Sequence, residues 1–347
     1  MKKTRPILTL MCICLLGTAG CSTTSYDKTQ VQETKSTKIK IGLSVDSFII
    51  ERWQREKDIF ISKAQELGAE VNVQDANGDI DEQIAQIEYL IKEKMDVIAI
   101  IPIVADALTD VVKKAKKAGI KIIAYDRIMT NADVDLYISF DNKKVGELMA
   151  TSLVDSMPEK GNILMICGPL TDNNVVQLTE GFEEVLHKSN LNVIDKVHVE
   201  QWVPEKAFAL TNEKLRLAYT IDGIMCGNDG FAGQAIRALA EKRLAGTVSV
   251  VGQDADVEAC QRIVEGTQSM TVYKPVDKLA KKAAEYAVDL AKGNALEITE
   301  SFFDGEFDVP YEKLEPIAVT RENIDKVIIE GGFHSKEDVY LNIFNNH

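Results

Sequence analysis

The chain predicts an α/β protein built as two doubly wound parallel-sheet lobes. Three observations carry that expectation. Short apolar strands alternate with amphipathic helices about every 25–30 residues, the rhythm of a parallel sheet with crossover helices. The alternation runs through a first cycle and then, from near residue 143, through a second one. Polar and charged residues collect where the strands of both cycles end, which is where open α/β sheets take ligands.

Order begins at Thr37. Residues 38–45 alternate and then run apolar, a first strand. Ile50, Trp53, Phe60, Ala64 and Leu67 recur near helical spacing, and Gly68 ends that helix. Residues 71–73 are a second strand, and Asn77-Gly78 marks a turn. Ile80, Ile84, Ile87 and Ile91 predict a helix over 80–94. Residues 97–101 are an unbroken apolar strand stopped by Pro102, followed by a helix over 105–118 that Gly119 closes. The strand 120–123 leads into Ala124-Tyr125-Asp126-Arg127, and 137–140 precedes Asp141-Asn142. In the second cycle, helices are expected over 143–156, 175–188, 204–219, 231–242 and 255–265. The strands between them are 162–167, 193–199, 223–226 (ending at Asn228-Asp229), 248–251 (ending at Gln253-Asp254) and 269–273 (ending at Lys274-Pro275). A helix over 277–292 then returns. Beyond Phe303, Val309, Ile317, Val319 and residues 327–329 give short strand signals. Residues 38–142 with 276–302 are expected to make one lobe, and 143–275 with 303–347 the other.

The 347 residues suffice for two full cores. A net charge of -14 argues against a nucleic-acid partner, which wants a basic face. Residues 1–20 read as a signal peptide: Lys2, Lys3 and Arg5, then an apolar run over 7–16 too short to span a bilayer. Thr18-Ala19-Gly20-Cys21 is similar to the lipobox of bacterial lipoproteins, with Thr18 departing from the usual Leu. Cys21 is the expected lipidation site, and the polar stretch 21–37 a flexible tether to the outer face of the cell membrane. Cys12 and Cys14 leave with the signal. Cys167, Cys226 and Cys260 have neither disulfide nor zinc spacing and are expected as buried small hydrophobes.

Catalytic signatures are missing from the sequence. It has no Gly-x-Ser-x-Gly elbow, no His-Glu-x-x-His and no Walker loop, and no histidine stands beside a plausible nucleophile. Gly227-Asn228-Asp229-Gly230 reads as a strand-to-helix turn with Asp229 as N-cap, rather than a phosphate loop. Neither an enzyme, a metal nor a cofactor is expected. What stands out is a set of strand-end residues: Arg52, Trp53, Asp126 and Arg127 in the first lobe, and Asp172, Asn174, Trp202, Asn228 and Asp254 in the second. Lys274 sits where the chain returns between lobes. Three carboxylates and three cations sum to zero, so the set can close bidentate hydrogen bonds around a neutral polyhydroxylated ligand. Both tryptophans of the chain belong to it, and an indole face covers the C–H face of a sugar ring.

The chain resembles the periplasmic D-xylose-binding proteins of bacterial ABC importers over nearly the whole folded body. The resemblance lies in Glu51-Arg52-Trp53-Gln54, Ala76-Asn77-Gly78, Ile100-Ile101-Pro102, Ala124-Tyr125-Asp126-Arg127 and Tyr137-Ile138-Ser139-Phe140-Asp141-Asn142. It continues in Asp172-Asn173-Asn174, Gln201-Trp202, Asn228-Asp229, Gly252-Gln253-Asp254-Ala255-Asp256 and Met270-Thr271-Val272-Tyr273-Lys274-Pro275. It implies a type I periplasmic-binding fold, with two lobes joined by three crossover segments. It also implies that the ten strand-end residues line a monosaccharide site, with Trp202 as a stacking platform. The implied partners are D-xylose and an ABC permease, or alternatively a membrane histidine kinase that reads the sugar-bound state; another monosaccharide is a further alternative. One departure is visible. The family carries a longer segment with two tryptophans before Pro-Glu-x-Ala, and here only Trp202-Val203-Pro204-Glu205-Lys206-Ala207 stands there. A transcription regulator of the same fold would need an N-terminal helix-turn-helix where this chain has an export segment. A sugar-modifying enzyme would need a positioned base.

Overall fold

The computed structural model describes residues 38–217 and 220–344; the export segment, Cys21 and the tether lie outside the described residues. Residues 38–344 divide into two α/β lobes. The first opens with β1 (Ile39–Val45), α1 (Arg52–Glu66), β2 (Ala69–Asp75), α2 (Ile80–Lys92), β3 (Val97–Ile100), α3 (Thr109–Lys117), β4 (Lys121–Tyr125) and β5 (Leu136–Phe140). The second holds α4 (Asn142–Ser156), β6 (Asn162–Cys167), α5 (Asn173–Leu186), β7 (Asn192–His198), α6 (Pro204–Arg216), β8 (Gly223–Cys226), α7 (Asp229–Glu241), β9 (Ser249–Gln253), α8 (Val257–Glu265) and β10 (Met270–Tyr273). The chain then returns through α9 (Val276–Lys292), β11 (Ser301–Phe303) and β12 (Asp308–Leu314) to the first lobe, and crosses again to β13 (Ile317–Val319).

Both sheets share one topology. Their parallel cores run β2-β1-β3-β4-β5 and β7-β6-β8-β9-β10, and each strand order reverses once, beside β1 and beside β6. Such reversals open a crevice at the carboxyl ends of the strands. Strands covered on both faces need apolar residues throughout. In β3, Val97 and Ala99 face the core under α1 and α9, while Ile98 and Ile100 face the core under α2 and α3. Three segments join the lobes, at β5–α4, β10–α9 and β12–β13.

The tail departs from the expectation in two places. Residues 303–347 are expected in the second lobe, yet β12 pairs in parallel with β5 of the first sheet. Tyr311 explains why: its ring stacks on Tyr137 at 4.6 Å and its hydroxyl donates to Phe140 O at 3.0 Å. Residues 327–329 read as a strand from their β-branched side chains, but they belong to a π-helical turn, Asp325–Ile329. Ile328 is its buried residue, and Ile324 at its N-cap is buried four residues before it. The N-cap of α7 is also corrected. Asn228 Oδ1 accepts from Phe231 N at 2.9 Å, while the Asp229 carboxylate turns inward to accept from Gln268 and Thr271.

Candidate functional site

All ten strand-end residues line one cavity between the lobes. Ile50, Asn142, Cys167, Gly168, Val175, Leu178, Met225, Gly227 and Gln253 complete its wall. Three of the ten hold a left-handed backbone that side chains other than Gly avoid: Asp126 at φ 63, Trp202 at φ 53 and Asp254 at φ 98.

In the first lobe, charged side chains hold one another. Arg52 opens α1 and is buried. Its Nε lies 2.5 Å from Glu56 Oε1 one turn on, and its Nη2 pairs with Asp126 Oδ2. Its guanidinium stands 4.2 Å from the Trp53 ring centroid, the spacing of a cation–π contact. The strained Asp126 is fixed from three sides: its N–H donates to Ile138 O at 2.8 Å, and its carbonyl accepts from Ser139 Oγ at 2.5 Å and from Asn174 Nδ2 at 3.1 Å. Arg127 reaches into the crevice of the first sheet, pairing with Asp46 at the end of β1 and donating to Pro102 O just past β3 at 3.2 Å.

In the second lobe, backbone geometry positions the side chains. Asp172 caps α5 by accepting from Asn174 N at 3.0 Å, and its other oxygen faces Arg127 Nε at 2.7 Å across the cleft. Asn174 Nδ2 crosses the cleft too, donating to Asp126 Oδ1 at 3.0 Å. Asn228 spends its carbonyl oxygen on the α7 cap, so its amide nitrogen is what it has to offer a ligand. Trp202 lies over the crevice of the second sheet. A Cβ on Gly168 would stand 2.3 Å from the indole, and one on Gly227 would stand 2.9 Å from Gly168 N and 3.1 Å from the indole, so both strand ends need glycine. Asp254 meets Lys274 Nζ at 2.7 Å and Arg52 Nη1 at 3.5 Å. With Ala105 N donating to Thr171 O at 3.2 Å, these contacts close the lobes on each other.

Burial pushes the Asp126 carboxyl up, but Arg52, Lys274 and Arg127 outweigh it and hold the group below its ordinary value. Asp172 is raised, because burial exceeds what Arg127 returns. Behind the wall, burial drives Glu56 up to about 7 against the pull of Arg52 and Tyr125. Arg, Lys, Asp and Asn groups ringed by two indoles suit directional hydrogen bonding to hydroxyls. None of them is a nucleophile paired with a base. Among the described residues no group of His, Cys, Asp or Glu could hold a metal ion.

A family model described as "Periplasmic binding protein domain" matches residues 41–295. The chain belongs to the periplasmic binding protein family. The D-xylose-binding periplasmic protein of Haemophilus influenzae is 46% identical over 310 residues, covering 88% of this chain and 93% of that one. Its counterpart from Escherichia coli is 43% identical, covering 87% and 93%. Among solved structures, a carbohydrate-transporter solute-binding protein of Chloroflexus aurantiacus in complex with D-glucose superposes with a TM-score of 0.80 at 28% identity, covering 87% of this chain and 98% of that one. As a member of this family the chain is a binding protein and not an enzyme.

Four further residues of this binding protein complete the site and were not singled out from its sequence. Asn142 and Gln253 line the cavity, and Gln253 is anchored by its Nε2 on Gly227 O at 2.7 Å. Asn142 stands two residues past the end of β5, and Gln253 ends β9 beside Asp254; those strand-end positions are the available signal. Asp46 and Glu56 brace Arg127 and Arg52 from behind. Glu56 had one signal, its i+4 spacing from Arg52. Cys167, Cys226 and Cys260 are buried free thiols.

Proposed function

We propose that this chain is an exported, lipid-anchored receptor that captures D-xylose between its two lobes and presents it to an ABC importer. The observation that carries the reading is the convergence of three cations, three carboxylates and both indoles, drawn from both lobes, on one cavity. The two D-xylose-binding relatives support the choice of sugar.

The groups that hydrogen-bond and pair across the cavity are those a pyranose would use. Sugar hydroxyls both donate and accept, so they can insert between Asp126 and Asn174, or between Asp254 and Arg52, without leaving a charge unpaired. Trp53 and Trp202 would cover the C–H faces of the ring. A ligand that touches both lobes binds the closed form better than the open one, so it shifts the population toward closure. That closed form is what a permease with its ATPase, or a membrane sensor kinase, would read. Lipid attachment at Cys21 would hold the receptor beside either partner.

Calorimetry of residues 22–347 against D-xylose, D-ribose, D-glucose and L-arabinose tests the reading. D-Xylose is expected to bind tightest; tight binding of a hexose with none of xylose would overturn the specificity. For the anchor, the full chain expressed in a bacterial host should partition into detergent, and Cys21→Ser should stay in the aqueous phase. Equal partitioning of the two would remove the anchor.

A further inference from the structure

Residues 320–344 join neither sheet, yet they touch both lobes beside the hinge. Asn323 starts the segment, accepting from Thr320 N and donating to Ala318 O, each at 2.9 Å. Ile324, Ile328, Phe333 and Val339 are buried in a single apolar cluster that also contains Phe60 of α1, Leu279 of α9 and Ile263 of α8. Burial therefore holds the tail against two helices of the first lobe and one of the second.

The polar contacts follow the same path. Arg55 of α1 forks onto Asp277 of α9, with N–O distances of 2.6 and 2.9 Å. Its remaining nitrogen donates to Phe333 O at 3.1 Å, and its guanidinium stands 4.6 Å from the Phe333 ring centroid. Phe333 also packs on Tyr273 at the end of β10, with ring centroids 4.7 Å apart. The next residue, His334, places Nε2 at 2.7 Å from Ala255 O. A carbonyl oxygen only accepts, so Nε2 carries the hydrogen.

Ala255 adjoins Asp254, and the two residues have φ of 55 and 98. Such a turn persists only where its surroundings over-determine it. From within the second lobe, Thr271 Oγ1 accepts from Ala255 N at 3.1 Å. From outside, His334 holds the carbonyl of the same residue. Helix α1 and the turn that carries Asp254 are thus linked twice. The inner link, Arg52 Nη1 to Asp254 at 3.5 Å, runs along the cavity wall. The outer link, through Arg55, Phe333 and His334 to Ala255, avoids the cavity.

We propose that His334 is a positioning residue for ligand binding and that the Phe333-His334 tail is a strap across the hinge. The strap presets the Asp254–Ala255 turn in its binding conformation and ties it to α1, so the Asp254 carboxylate is in place before the sugar arrives. This rests on the sugar-site reading of the cavity, in which Asp254 and Arg52 face the ligand from opposite lobes.

The test uses the purified protein with its His334→Ala and His334→Gln variants, and two readouts. Amide hydrogen exchange at residues 253–257 is followed without sugar, and D-xylose affinity and dissociation rate are then measured. In His334→Ala, exchange across 253–257 should quicken about tenfold and xylose should dissociate about tenfold faster, as the loss of one ordinary hydrogen bond allows. Glutamine, whose Nε2 donates from nearly the same place, should restore both. Unchanged exchange in His334→Ala overturns the strap whether or not the wild type takes xylose. Faster exchange with unchanged dissociation of xylose, or of whichever panel sugar the wild type binds, overturns the positioning role. A glutamine variant as impaired as the alanine one would reduce His334 to packing.

Discussion

The two lobes fill equivalent places with opposite chemistry. Where the first sheet reverses its order, the crevice past β1 and β3 receives the Arg127 guanidinium, held by Asp46 and Pro102 O. Where the second sheet reverses, the crevice past β6 and β8 is roofed by the Trp202 indole, seated on Gly168 and Gly227. One position is specified by charge and the other by shape. The first-lobe wall should therefore fail through unpaired charge, and the second-lobe wall through steric displacement that leaves the fold in place.

The largest effect should come from Arg127→Met. It leaves Asp46 and Asp172 buried without their cation, and denaturant titration should show a stability loss of about 3–5 kcal/mol. A loss below about 1 kcal/mol would equate it with an exposed pair and dissolve the contrast. Asp126→Ala comes next. Arg52 and Asn174 lose a shared acceptor, so D-xylose affinity should fall by about 1–3 kcal/mol in calorimetry. An unchanged affinity would remove Asp126 from the site. In the shape-built lobe, Gly168→Ala should cost a similar or smaller amount of affinity, about 1–3 kcal/mol, as the added methyl lifts the indole. Its unfolding midpoint should move less than that of Arg127→Met; the reverse order would sink the comparison.

The last effect is spread over a pH slope rather than concentrated in one loss. Glu56 has its pKa raised by burial to about 7, and the charged or titratable groups facing it are Arg52, Tyr125 and Asp126. Between its ordinary 4.5 and about 7, the folded chain holds a proton that the unfolded chain has released. The group's contribution is therefore full below pH 4.5 and is lost as pH rises through 7, by at most about 1.4 kcal/mol per unit. Asp126 has the opposite sign: its lowered pKa stabilises above the ordinary carboxylate value and fades as pH falls through the lowered one, outside this window. Glu56→Gln should reduce the slope between pH 4.5 and 7 and leave the share of Asp229, whose pKa burial also raises to about 7 with the same sign; an unaltered slope would assign it to Asp229 or another group.

The same contrast governs what the sequence made legible. Strand ends in an α/β repeat mark a ligand face by rule, so all ten selected residues come together on one cavity. The braces behind them were hidden by their surroundings. Glu56 sits in Gln54-Arg55-Glu56-Lys57-Asp58, which reads as a solvated helix face until burial is known. Asp46 reads as a turn residue beside Ser47. The return of β12 was hidden for another reason: its pairing with β5 spans more than 170 residues of sequence, and local pattern carries no trace of a partner that far away. The tail misled because Val327-Ile328-Ile329 favours a strand by propensity, while packing against α1, α8 and α9 selects a helical turn.

The chain has two tryptophans, and Trp53 and Trp202 line the cavity from different lobes. Each therefore reports on its own wall. D-Xylose titrated into Trp53→Phe and into Trp202→Phe, with intrinsic fluorescence as the signal, tests directly whether one sugar bridges both lobes. Saturable emission changes are expected in both proteins, each half-complete at the affinity that calorimetry gives for the same variant. A variant that binds xylose by calorimetry while its remaining tryptophan stays silent would contradict a site shared between the lobes.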